Sequence, residues 1–460
     1  MIEHFRTSGL ATSSLLLAAG AGLAPSPGAQ SIEVPLEYHA DTQGYTSLYV
    51  GGHASVSPLD ACPEGEWKLP ELRGEAPRFG LLTLGDSTFL LVLDRRAADS
   101  AFYDRLHLDA NGNRDLTDDA TCNGQIVSQN VNAGLSFYYV SFDDGLDLEY
   151  RLGDATLRYH AEFTVQGGDP AKTAAPAGME GMIVASFHIM MRSTCFYAGQ
   201  FARGEKTYQV AVSDQNGNGR YDDPLAIDPR IQFAGRGVDY PEGDGFYLTA
   251  EKDLSYRDLY PLGSRLLIGE TLFDMRIDVA ARKLVLAPAA GERGTLRFAL
   301  PPERLVLEAK EGGSSVMLHH PGPQAALPAG TYRLLSYQAR TTGAKGDEWL
   351  LSAGGTRRTP WVTVAPGTEA ALAFGPPFTA LAEVDDWSAK SFRGGNADEV
   401  RISFNVEGVA SELLTDLRKV GGDASSVAMS TAKETMPAEP SYTVLTSAGE
   451  KVTSGTFEYG

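Results

Sequence analysis

The sequence predicts a mainly β fold: tandem β domains built on a duplicated hairpin unit, followed by two β-sandwich modules. Three features predict it. Glycine (50 residues) and proline (25) are frequent, and Val, Thr, Tyr and Phe recur between them in short runs, as strands bounded by turns require. Long stretches with apolar residues at every third or fourth position, the signature of an amphipathic helix, are almost absent. One strand–turn–strand pattern occurs twice.

The chain of 460 residues exceeds what one hydrophobic core usually serves. Apolar residues make up 43% and charged residues 21%, which marks a globular chain. A net charge of −20 argues against nucleic acid as a partner, because phosphate binding needs clustered Lys and Arg. It suits cations, or simple solubility.

The N-terminus reads as an export signal. Met1–Arg6 carries a basic residue, Leu10–Ala24 is apolar and small, and APSPGAQ follows, with cleavage expected after Ala29. A frayed N-terminal helix is the structural alternative. The apolar run is too short to span a bilayer and no other stretch is long enough, so no transmembrane segment is expected. The expected location is the periplasm, the cell surface or the medium. Of Cys62, Cys122 and Cys195, two could pair in an oxidising compartment, Cys62 and Cys122 lying in one unit. Unpaired buried cysteines are an equal alternative.

The next two units, residues 30–155 and 156–290, hold the duplication. GLLTLGDSTFLLVLD (Gly80–Asp94) aligns with GQFARGEKTYQVAVSD (Gly199–Asp214): Gly85 meets Gly204, Thr88 meets Thr207 and Phe89 meets Tyr208. Both predict a hairpin with a tight turn at Gly-Asp or Gly-Glu. Each unit has two Asp-led loop positions. The leading loop of the first, Asp94–Asp104, and the trailing loop of the second, from Asp228, have lost their Asn and Gly residues. The other two kept them. LDANGNRDLTDD (Leu108–Asp119) and SDQNGNGRYDDP (Ser213–Pro224) both contain Asp-x-Asn-Gly-Asn followed by paired aspartates.

Calcium takes roughly six to eight hard oxygen ligands from a flexible loop. Asp supplies charge, Asn a neutral carbonyl, and Gly the sharp bends. Alternate positions converge on one point. In the first loop the ligands are Asp109, Asn111, Asn113 and the carbonyl of Asp115, closed by Asp118 or Asp119. In the second they are Asp214, Asn216, Asn218 and the carbonyl of Arg220, closed by Asp222 or Asp223. These loops resemble the EF-hand-like calcium loops of bacterial secreted proteins, such as dockerin modules, which implies two calcium sites. There are departures. Ala120 and Leu225 stand where an acidic closing ligand is usual, Arg114 replaces the turn glycine, and strands precede both loops. Expected affinity is weak, with a dissociation constant on the order of 10⁻⁴–10⁻³ M. Without a metal, the same residues make ordinary Asn-Gly turns.

No enzyme motif stands out. GDS (Gly85–Ser87) and DRLH (Asp104–His107) resemble blocks of SGNH-type esterases, but an apolar strand follows Ser87 where that family opens a helix. G-x-S-x-G, HExxH, P-loop and Rossmann patterns are missing. His319 and His320 are adjacent, and strand neighbours point to opposite faces. His188, on an alternating strand, reads as a packed histidine. Asp143–Asp144 and Asp385–Asp386 read as turn tips.

After Gly294 short strands recur at regular spacing, which predicts a β-sandwich over 291–375. LPAGTYRLLSY (Leu327–Tyr337) resembles a core strand of transthyretin-like modules. FGPPF (Phe374–Phe378) marks a join to a second, Ig-like sandwich over 376–460, in which Ser411–Pro440 holds a short helix or a loop. The whole resembles uncharacterised multidomain β-proteins exported by bacteria. The pairs Tyr138–Tyr139 and Phe196–Tyr197, with Trp349, Trp361 and Trp387, could stack sugars if exposed. The expected function is therefore calcium-dependent structure or binding at or beyond the cell envelope, with carbohydrate or an envelope protein as partner. A glycosidase-like hydrolase with dispersed acids and a carbohydrate-binding assembly are the alternatives.

Overall fold

A computed structural model describes residues 30–40, 52–132, 135–168, 187–233, 238–251, 253–312, 314–343, 345–384, 390, 393, 402–420 and 439–457. The expected export segment, Trp387 and Asp385–Asp386 lie outside these residues. The protein is mainly β, and a short 3-10 turn spans Tyr256–Asp258. Among the described residues no helix is long and apolar enough to cross a membrane.

The first three strands, β1 (Ile32–Pro35), β2 (Glu37–Ala40) and β3 (His53–Val56), each join a sheet built mainly from later residues. β4 (Arg78–Leu84) and β5 (Ser87–Asp94) form the first predicted hairpin, closed by Leu84↔Ser87. With β6 (Arg105–Leu108) and β7 (Thr121–Asn123) they make a four-stranded sheet. β8 (Gln125–Asn132), β9 (Leu135–Leu152), β10 (Ala155–Gly168) and β11 (His188–Ser193) form a second sheet, ordered β3-β11-β10-β9-β8. β12 (Cys195–Arg203) and β13 (Lys206–Ser213) are the second predicted hairpin, closed by Arg203↔Lys206. Both turns place glycine, Gly85 (φ 53°) and Gly204 (φ 60°), where other residues are strained. β14 (Ala226–Phe233) pairs with β15 (Val238–Glu242), while β16 (Gly245–Thr249) and β17 (Leu259–Pro261) extend the sheet of β13 and β12 to β2.

β18 (Arg265–Ile268), β19 (Thr271–Asp278) and β20 (Lys283–Pro288) begin a long sheet. β21 (Arg293–Phe298) leaves it, and β22 (Pro302–Ala309) and β23 (Ser315–His319) return to it. β24 (Gln324–Pro328) pairs with β21, and β25 (Gly330–Thr342) and β26 (Glu348–Gly354) widen the long sheet, with β27 (Trp361–Val364) on β25. β28 (Glu369–Leu372) pairs in parallel with β21. β29 (Thr379–Val384), β30 (Ile402–Glu407) and β31 (Leu413–Lys419) attach through β26, and β32 (Ser441–Leu445) and β33 (Lys451–Thr456) form a separate hairpin. The long sheet has 12 strands: 11 run in the order β1-β20-β19-β18-β23-β22-β25-β26-β31-β30-β29, and β27 lies off this path against β25.

Two large cores result. One takes apolar residues from both expected repeat units, from Val34 to Leu286, and adds Val306, Met317 and Leu335 from the long sheet. The other lies between the long sheet and the β24-β21-β28 sheet, around Leu305, Leu307, Leu334 and Leu351. The first is rich in tyrosine, and burying a ring leaves its hydroxyl in need of a partner. Tyr103 donates to the Ala76 carbonyl (2.8 Å), Tyr150 to the Gly219 carbonyl (2.7 Å) and Tyr159 to the Asp214 carboxylate (2.9 Å).

Pairing crosses the expected unit boundaries. β9 and β10 form one hairpin across 155/156, β18 pairs β23 across 290/291, and β26 pairs β31 across 375/376. Local patterning reveals a strand but not its neighbour, because backbone pairing carries little sequence information. Three local readings change for the same reason. Leu413–Lys419, expected in a helix or loop, is a strand edge-on to β26. Asp143–Asp144 sit inside β9, beside Gly145 (φ 55°), where the register against β10 shifts. His188 faces outward on β11, which alternates as expected. No disulfide links the three cysteines, of which Cys62 is exposed and Cys122 and Cys195 are buried.

Candidate metal centre

Each Asp/Asn loop leaves the end of an apolar strand. β6 delivers Asp109 and β13 delivers Asp214, and both carboxylates are fully buried. Beyond them the two loops share one scaffold. The side-chain oxygen of Asn111 accepts from the Asn113 amide (2.9 Å), and that of Asn113 from the Asp115 amide (2.6 Å). In the second loop Asn216 accepts from the Asn218 amide (3.2 Å) and Asn218 from the Arg220 amide (2.7 Å). The same aspartate position accepts from the second Asn in both loops. Asn113 donates its side-chain amide to Asp118 (2.8 Å), and Asn218 donates to Asp223 (2.6 Å). Asp222 is exposed instead. Chain reversal needs left-handed residues, Gly112 (φ 72°) and Arg114 (φ 67°) in one loop, Gly217 (φ 68°) and Gly219 (φ 77°) in the other. Arg114 thus adopts the turn conformation without being glycine.

The leading carboxylates differ. Asp214 Oδ1 accepts from the amides of Gly217 (2.7 Å) and Asn218 (3.3 Å), and Oδ2 from the Gly219 amide (2.7 Å) and the Tyr159 hydroxyl (2.9 Å). Asp109 Oδ2 accepts from the Arg114 amide (3.1 Å). Its Oδ1 is buried without a hydrogen-bond partner, and so is Asp119 Oδ2. The Gly112 and Asn113 amides favour the charged form of Asp109 but do not bond Oδ1, and burial still raises its pKa. Burial, then the charges of Asp109 and Asp118, push Asp119 up to about 6. An unsatisfied buried carboxylate oxygen is costly unless something pairs with it.

Distant residues complete each loop. The Lys68 amide donates to the Arg114 carbonyl (2.9 Å), and Leu116 donates back to the Lys68 carbonyl (3.0 Å). The Lys68 ammonium lies 2.6 Å from the Asp115 carboxylate, which it and Thr117 hold down to about 2. The side chain of Asp115 is therefore committed to Lys68, and the expected ligand there is its carbonyl. On the second loop Asp244, itself buried, accepts from the amides of Gln215 (3.1 Å) and Asp223 (2.8 Å). Burial and then the charge of Asp214 push Asp244 up to about 9. The Gly85 turn of the first hairpin donates to the Asn218 carbonyl (2.7 Å), and Arg220 reaches Asp86 (3.4 Å). Sequence reading missed Lys68, Tyr159 and Asp244. None has a local signal, because each arrives from another segment: Lys68 from the stretch before β4, Tyr159 from β10 and Asp244 from the turn between β15 and β16.

The degraded loop at Asp94–Asp104 has protein donors where the others have Asn. Asp94 accepts from the amides of Arg73 (2.9 Å) and Gly74 (2.7 Å), and Asp104 pairs with Arg96 (3.0 Å). Among the described residues no group of three or more His, Cys, Asp or Glu side chains is gathered to hold a metal ion. Any cation in these loops relies on amide and backbone oxygens as well as carboxylates. Of the aromatic candidates, Phe196 and Tyr197 are buried, Tyr138 and Tyr139 are partly exposed, and Trp361 is 39% exposed beneath the guanidinium of Arg333. His319 is buried against the Tyr260 hydroxyl (3.0 Å). The left-handed backbone of His320 (φ 46°) turns its ring back onto His319. No known protein family, curated protein or solved structure matches this chain.

Proposed function

We propose that the protein is an exported calcium-binding β-protein with a structural or binding role at the cell envelope or beyond it. Both loops offer hard oxygen donors, and the first is the stronger site. The observation that supports this most is the pair of buried, unpartnered carboxylate oxygens, Asp109 Oδ1 and Asp119 Oδ2, on a loop whose amide carbonyls face the same turn. A hard divalent cation would satisfy both oxygens and relieve the repulsion that raises Asp119. In the second loop the donors from Gly217, Asn218, Gly219 and Tyr159 already occupy Asp214. Calcium there would have to bind through Asn216, Asn218, Asp223 and the Arg220 carbonyl, with lower affinity.

Bound calcium would pin the connection between β6 and β7 against the Lys68 segment, which suits a structural role. Thermal unfolding in millimolar calcium and in EDTA tests the reading. The wild type should melt higher with calcium, and Asp109→Asn should lose that rise. A wild type that melts identically in both would reduce the loops to Asn-Gly turns.

A further inference from the structure

A cleft of about 440 Å³ opens between β15, β17 and the long sheet, and none of its lining residues belongs to either Asp/Asn loop. Its lining is mainly apolar and includes Pro261, Val306, Leu335 and Ala353. Its size lies within the range of roughly 300–1,000 Å³ typical of small-molecule sites. The charged groups on its wall are Arg257, Arg304 and Asp239. Asp239 is buried and lies 3.0 Å from Arg333, which also pairs with Glu308.

Arg304, on β22, is half-buried. Its guanidinium lies over the Tyr260 ring, 3.8 Å from the centroid, and one Nη donates to the Leu259 carbonyl. Its Nε is buried and makes no hydrogen bond. No carboxylate among the described residues pairs with it, and the adjacent Glu303 is engaged by Arg340. A guanidinium held by stacking, partly desolvated and without a counter-ion is an unfavourable arrangement. It is unusual on a chain whose net charge is −20. An anion would offset that cost, and guanidinium matches the fork of a carboxylate.

We infer that this cleft binds a small organic acid, its carboxylate on Arg304 and its apolar body on Val306 and Leu335. Gln338 and Ser336, which also line it, offer neutral hydrogen bonds to further polar atoms of such a ligand.

Calorimetric titration of the full chain with naphthalene-1-acetate and with its neutral isostere, naphthalene-1-acetamide, tests this. The acid should bind once per chain, at least about tenfold tighter than the amide, and more weakly as salt rises. Arg304→Met should bring the acid down to the affinity of the amide while leaving the amide unchanged. Equal binding of acid and amide by the unmodified protein would overturn the proposal. So would no binding of the acid at millimolar concentration, or full acid affinity in Arg304→Met. The comparison of acid with amide needs no variant, so it stands even if Arg304→Met fails to fold.

Discussion

The two Asp/Asn loops carry nearly the same residues, and burial raises both leading carboxylates, yet the loops differ in how the protein hydrogen-bonds them. In the second, Asp214 receives three backbone amides and the Tyr159 hydroxyl, so both its oxygens are hydrogen-bonded although burial still pushes it up to about 6. In the first, Asp109 receives one amide by hydrogen bond, and an oxygen on each of Asp109 and Asp119 is left over. The difference lies in what surrounds each loop. β10 brings a tyrosine to the second, whereas the first meets the Lys68 segment, which bonds the far side of the loop at Arg114, Asp115 and Leu116. A loop motif therefore specifies a turn and a set of oxygens. Its neighbours decide whether those oxygens are spent within the protein or left available.

The largest expected effect sharpens this contrast. Asp214→Ala strips partners from buried amides and from the Tyr159 hydroxyl, at about 1–3 kcal/mol for each unsatisfied group. Urea unfolding should show a loss of at least about 4 kcal/mol in total, equal with calcium and with EDTA. A loss that calcium rescues would break the contrast, since it would make the second loop the metal site.

Calcium binding at the first loop comes next. At calcium concentrations about 10 to 100 times the dissociation constant, stabilisation should reach about 1.4–2.7 kcal/mol. Asp109→Asn should remove it. In EDTA the same variant should be no less stable than wild type, because it discards an unsatisfied buried charge. A large loss in EDTA would mean that Asp109 is satisfied without a cation.

Gly219→Ala should cost about 2 kcal/mol. A Cβ there would lie 2.9 Å from the Gly85 amide nitrogen and 3.0 Å from the Tyr150 ring, on a left-handed backbone. Chemical denaturation of the variant measures it directly.

The pH dependence is smaller. Asp119 has a folded pKa of about 6, above the usual carboxylate value, so its protonated form is favoured on folding. Without calcium its contribution is fully present below about pH 4 and is lost as pH rises through about 6. Calcium needs the charged form, so its apparent affinity should fall as pH drops below 6, by up to about tenfold between pH 6 and pH 5. Titrations at several pH values follow this, and a flat profile would remove Asp119 from the site. The least effect is expected of Arg114→Gly. It relieves left-handed strain of roughly 1–2 kcal/mol but loses the contact of Arg114 with Trp67, worth about 0.5–1 kcal/mol, so melting should shift upward only slightly.

The strands of this protein were legible in its sequence. The duplicated hairpins, their glycine turns and the alternation of the later strands follow from residue chemistry that acts over a few positions. The loops were legible in the same way, because Asp-x-Asn-Gly-Asn bends the chain and turns its own oxygens inward wherever it occurs. What the sequence could not show is who pairs with whom. β1 joins β20, β9 joins β10 across an expected boundary, and the two duplicated halves share one core, because strand partners are chosen by burial summed over the whole chain. For the same reason only the tertiary structure decided which carboxylates are satisfied. Tyr159, Asp244 and Lys68 lie far from the loops in sequence, and hydrogen bonding acts only over a few ångströms, so their effect exists only once the sheets are assembled.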